Sequence, residues 1–203
     1  MTTEDVRRKI REHRVPFDVC FVLDNSYSLH ADRFVEKAKG LVFELLEDAA
    51  RHGDRVSLVA FKSGVAEATV ALRPTGSARI AAASLREIPL SGRTPLPGAL
   101  VLARRLLRQQ QAKRPHSRPV VVVVTDGLPN VPLTRGGDAV AETLAQGRAL
   151  RRAGIEVVVV AADEPGAERR ESCARALAEA AGGAYLPFAD VSPDAFSALL
   201  EGS

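Results

Sequence analysis

Aromatic residues are scarce: the 203-residue chain has no tryptophan, two tyrosines and seven phenylalanines. Single-strand nucleic-acid binding usually needs exposed aromatic platforms, so that role has little support. Cysteine is equally rare. Cys20 and Cys173 lie far apart in apolar segments and belong to no CxxC or Cys/His pattern. That excludes a disulfide scaffold and argues against a zinc site; both read as small buried hydrophobes in a reduced compartment. Lysine is sparse beside arginine, 5 against 23, and the net charge is only +3. The basic residues form no stripe. Their densest group, Lys113, Arg114, His116 and Arg118, is short, so a nucleic-acid partner is not expected. Long apolar runs are missing too: runs such as Val120 to Val124 fall far short of a membrane span. Met1 to Arg14 is charged throughout and does not read as a secretory signal. A cytoplasmic protein without a membrane partner is the expectation.

What remains is an ordinary globular mixture, 46% hydrophobic and 26% charged, long enough to bury its own core. One domain over 15–203 is expected, preceded by a basic helical lead-in over 1–14. The hydrophobic period alternates along the chain. Val15 to Leu23 is an apolar run broken only by Asp18, as in a strand buried on both faces. Asp32 to Arg51 carries Phe34, Val35, Ala38, Leu41, Val42, Leu45 and Leu46 at helical spacing. Val56 to Phe61 is a second buried strand. Glu67 to Leu72 alternates and precedes Arg73-Pro74, which suits an antiparallel edge strand. A short helix follows from Ser77, its cap, to Glu87. Another has Pro97 in its first turn and runs to about Gln111.

Beyond it come a strand at Pro119 to Val124, a helix at Asp138 to Arg152 and a strand at Ile155 to Ala161. A helix at Glu168 to Ala181, ended by Gly182-Gly183, a short strand at Ala184 to Pro187 and a helix at Ser192 to Leu200 complete the chain. Strands apolar on both faces, alternating with helices, predict an α/β sandwich of three layers around a mostly parallel sheet. Ligands in such sheets sit at the carboxyl ends of the strands, where strand order reverses.

Two strand ends carry the chemistry. The first strand ends in Leu23-Asp24-Asn25-Ser26-Tyr27-Ser28, and Val120 to Val124 ends in Thr125-Asp126-Gly127. Each places a carboxylate just past an apolar strand. Thr94, on the loop before a helix, is expected on the same rim. Two carboxylates and three hydroxyls form an all-oxygen set, which suits Mg²⁺, with Mn²⁺ as a substitute. With so few anionic ligands, water or an outside carboxylate must fill the remaining position.

Asp24-x-Ser26-x-Ser28, then Thr94, then Asp126 resembles the metal-ion-dependent adhesion site of von Willebrand factor A domains. The likeness runs from about Val15 to Leu200. Asp54-Arg55-Val56, Gly92-Arg93-Thr94-Pro95-Leu96, Thr125-Asp126-Gly127 and Gly182-Gly183-Ala184-Tyr185, with the lead-in Arg7-Arg8-Lys9-Ile10-Arg11, are most similar to the C-terminal A domain of the magnesium chelatase D subunit. The resemblance implies a Rossmann-like fold. It also implies Ser26, Ser28 and Thr94 as hydroxyl ligands, with Asp24 and Asp126 acting directly or through water. By the same resemblance, an acidic side chain of a partner would complete the octahedron, the partner being an AAA+ ATPase of a chelatase-like assembly. Tyr27 and Leu29 stand where many members have glycine and methionine.

The chain is therefore expected to be a docking module without catalysis of its own. The alternative is a Mg²⁺-dependent phosphatase or phosphotransfer enzyme. It is disfavoured because Ser26, not a second acid, follows Asp24 at the third motif position. The acidic pair and later strand-end lysine of a phosphate-accepting receiver domain are not evident either. Thr125 reads as a residue that satisfies its own turn. Lys113 to Arg118 reads as a solvated turn at the end of the sheet opposite the metal. Arg104, Arg105 and Arg108 read as the wet face of a helix. His30 is not expected to ligate a hard ion, and Tyr185 reads as packing.

Overall fold

Strand β1 (Phe17–Leu23) is buried at every position, as an unbroken apolar run requires when both faces are covered. The computed structural model describes residues 15–24, 31–62, 67–89, 92–125, 128–161 and 168–192, with 194, 195 and 198 beyond them. Helix α1 (Ala31–Arg51) follows β1, and then strands β2 (Arg55–Phe61) and β3 (Ala68–Thr75). Helices α2 (Ala78–Arg86) and α3 (Leu96–Gln111) lead to β4 (Arg118–Thr125). The chain then alternates through α4 (Ala139–Arg152), β5 (Glu156–Ala161), α5 (Glu168–Ala181) and β6 (Ala184–Pro187).

The sheet has the order β3-β2-β1-β4-β5-β6, and every described pairing is parallel except β2 with β3. This is the doubly wound order, with crossover helices on both sides. Alternate residues of each inner strand feed two separate cores. Phe17, Val19, Phe21 and Leu23 pack in one core with Val42, Leu45 and Leu46 of α1 and with Ala81 and Leu85 of α2. Cys20 and Val22 face the other side, where Leu96, Ala99, Leu100 and Leu107 of α3 and Leu177 of α5 cover them with Val121, Val123, Val157 and Val159. Burial pushes the Cys20 thiol up to about 12, against a smaller lowering by its hydrogen bond with Ser57, so it stays protonated.

The sequence-predicted elements lie within a few residues of these bounds, with two differences. Strand β3 continues through Pro74 to Thr75, because an edge strand can absorb a residue that donates no hydrogen bond. The turn at Lys113 to Arg118 is only partly solvated. Lys113 and His116 are exposed. Arg114, by contrast, donates to the buried Asp18 at 2.5 Å, and Ser117 Oγ donates to the other Asp18 oxygen at 2.5 Å. Arg118 pairs with Glu156 at 2.7 Å and lies 5.1 Å from the centre of the Phe17 ring. The aspartate that interrupts β1 therefore anchors the turn after α3. On α3 itself Arg105 and Arg108 are exposed, as expected, and Arg104 is half-buried. Tyr185 packs under Arg175, whose guanidinium lies 4.0 Å from the ring centre. The lead-in over 1–14 falls outside the described residues, as does part of the last helix. Of that helix, the Ala195 N–H donates to Ser192 Oγ at 3.1 Å, a helix-start contact. Among the described residues no helix is long and apolar enough to cross a membrane.

Candidate metal centre

Strand order reverses at β1, which has β2 on one side and β4 on the other. The crevice at their carboxyl ends is the topological switch point. The register pairs Leu23 with Val124, so Asp24 and Thr125 are the next residues out on each strand. The Asp24 N–H donates to the Val124 carbonyl at 2.8 Å and extends the ladder to the rim. By alternation Asp24 follows Cys20 and Val22, and Thr125 follows Val121 and Val123. Both therefore belong to the α3 side of the sheet. There Thr125 Oγ1 donates to Asp24 Oδ2 at 2.7 Å. Asp24 is 1% exposed and Thr125 3%. A carboxylate this buried is costly unless it is hydrogen-bonded, and the threonine supplies one bond while fixing the carboxylate's rotation.

Thr94 stands two residues before α3 and is 2% exposed. Its N–H donates to Asn130 Oδ1 at 2.9 Å, and its carbonyl accepts from the Asn130 N–H at 3.2 Å. Asn130 lies on the loop that leaves Thr125, so one loop touches both rims. The far part of that loop is held by Glu142, in the first turn of α4. Its carboxylate accepts from the Leu133 N–H, from the Thr134 N–H at 3.2 Å and from the Thr134 hydroxyl. The Thr134 hydroxyl is the main reason the Glu142 carboxyl is held below its ordinary range.

Of the five expected site residues, Asp24 and Thr94 are described and both are buried at this rim. Ser26, Ser28 and Asp126 lie outside the described residues, as do Tyr27 and His30. Thr125 does more than satisfy its turn, since its hydroxyl is spent on Asp24. Its place directly after an apolar strand is visible in the sequence, but its pairing with Asp24 comes from the parallel register of β1 and β4. Asn130 was read only as part of a loop; a pairing across 36 positions leaves no local trace.

The described donors are a carboxylate and hydroxyls, oxygen throughout, which fits a hard divalent cation. Among the described residues no three His, Cys, Asp or Glu side chains converge on a common point. A metal held by the described residues would therefore rely on hydroxyl oxygens beside the one carboxylate of Asp24. Two grooves elsewhere are lined by other residues. One, of about 300 Å³, includes Lys39, Phe43, Leu85 and Arg86, and the other, of about 350 Å³, includes Phe61, Thr69, Glu87 and Ile88.

Residues 18–199 match the model of the von Willebrand factor type A domain. The chain belongs to that family. An uncharacterised protein of Mycobacterium tuberculosis is 39% identical over 149 residues, 72% of this chain and 23% of that protein. The magnesium-chelatase 67 kDa subunit of Chlorobaculum parvum is 33% identical over 141 residues, 70% of this chain and 22% of the subunit. The domain thus spans less than a quarter of either relative. The crystal structure of the conserved hypothetical protein BatB from Bacteroides thetaiotaomicron superposes with a TM-score of 0.69 at 22% identity, covering 92% of this chain and 98% of BatB. That likeness concerns the fold alone. The domain is therefore a von Willebrand factor A domain related in sequence to magnesium-chelatase subunits.

Proposed function

We propose that the domain is a cytoplasmic docking module that binds a partner protein through Mg²⁺, with Mn²⁺ as a working substitute. Ser26, Ser28 and Thr94 hold the ion directly; Asp24 and Asp126 touch it or orient its waters. When bound, the ion supplies a hard positive charge with a coordination position left for an aspartate or glutamate of the partner. The observation that carries this reading is the buried Asp24 at the switch point, its carboxylate oriented by Thr125 at 2.7 Å. The buried Thr94 on the neighbouring loop adds to it. The proposed partner is an AAA+ ATPase of a chelatase-like complex, a step supported by the 33% identity with the Chlorobaculum parvum subunit. No catalysis by the domain itself is part of the proposal.

The test is an affinity capture from lysate of the source cell, using wild type and Asp24→Ala, each with Mg²⁺ and with EDTA. Captured proteins are identified by mass spectrometry, and circular dichroism checks that the variant is folded. An ATPase retained by wild type only with Mg²⁺ is the expected result. The same proteins in all four lanes, or none, would overturn the proposal.

A further inference from the structure

We infer that Asn130 is a positioning residue that fixes the Thr94 hydroxyl for the metal, acting through the Thr94 backbone. The inference rests on the metal-docking reading above. Both hydrogen-bonding groups of the Thr94 backbone are taken up by this one residue, at 2.9 Å and 3.2 Å. A single bond leaves a hinge, whereas two bonds to one residue set position and rotation together. Pro95 follows, which restricts Thr94 to extended backbone. Threonine is also stiff about its first side-chain torsion, so a fixed backbone narrows the direction of its hydroxyl.

The other end of the brace is Asp24. Thr125, which orients that carboxylate, begins the loop on which Asn130 lies. Thr125 and Asn130, five positions apart in the sequence, thus each hold one candidate donor. The acceptor must stand one carbon beyond Cβ to repeat this contact. Aspartate keeps that geometry, alanine lacks the acceptor, and glutamine carries it a methylene too far. Asn130 is itself exposed, so its truncation leaves no buried void.

The experiment titrates Mn²⁺ by electron paramagnetic resonance against wild type, Ser26→Ala, Asn130→Ala, Asn130→Gln and Asn130→Asp. Exchange of the Thr94 amide is followed by NMR without metal. Asn130→Ala and Asn130→Gln are expected to bind Mn²⁺ about 10- to 100-fold more weakly, as loss of a supporting residue does at metal sites. Faster exchange at Thr94 should accompany the loss, and Asn130→Asp should restore both. A merely structural role would lower the melting temperature and leave the affinity of the folded protein unchanged. If wild type and Ser26→Ala behave alike toward Mn²⁺, the metal-docking reading fails and this inference with it. If Ser26→Ala loses Mn²⁺ while both Asn130 loss variants keep wild-type affinity, only the positioning role is overturned.

Discussion

Asp18 and Asp24 stand near the two ends of β1 on the same face, both buried, and are satisfied in different ways. Asp18 meets Arg114 and Ser117, whereas Asp24 meets the hydroxyl of Thr125. The first arrangement closes a turn; the second holds a carboxylate at the rim where strand order reverses. Thr125→Val keeps the shape of the side chain and removes the donor. Leaving a buried carboxylate short of a bond is expected to destabilise the domain by about 1–3 kcal/mol. Urea unfolding measures that cost, and a cost near zero would mean that water replaces the threonine. Asp24 was legible in the sequence because a carboxylate directly after a largely apolar strand stands out. Asn130 was not, because its partner is 36 positions away and either residue alone looks like ordinary loop chemistry.

At the scale of elements, α3 spans the sheet and is tied near both ends. Its 16 residues span roughly 24 Å, close to the roughly 20 Å from Asp18 to Asp24 along β1. Thr94 precedes the start of the helix, and Arg114 follows its end. The opposite edge depends on a close approach. A Cβ on Gly183 would lie well under 3.0 Å from the Val157 carbonyl oxygen, a backbone atom that cannot swing away. Gly183→Ala is therefore expected to cost about 3 kcal/mol or more, read from the denaturation midpoint. A midpoint within error of wild type would show that β6 can shift along β5 without penalty. The sequence marks Gly182-Gly183 as a helix stop. Gly182 answers that description with φ +63°, while the need at Gly183 comes from the neighbouring strand.

For the whole molecule, each side of the sheet has an apolar core that involves none of the proposed metal ligands. Folding should therefore not require the ion, and EDTA should leave the circular dichroism spectrum unchanged. Ligand binding to the native state alone still adds stability in proportion to the logarithm of ligand concentration. Millimolar Mg²⁺ is thus expected to raise the melting temperature of wild type by a few degrees and that of Asp24→Ala not at all. Equal rises in both proteins would place the effect on the general ionic atmosphere.

The sequence by itself determined the element order, the three-layer architecture and the family. Apolar periodicity reports burial residue by residue, and Asp24 stands out where that pattern breaks at the end of β1. Strand order, the meeting of Asp24 with Thr125 and the clamp of Asn130 on Thr94 were decided only by the tertiary structure. Each joins segments far apart in the chain, and hydrogen-bond geometry between such segments exists only once β1, β4 and α3 have packed together.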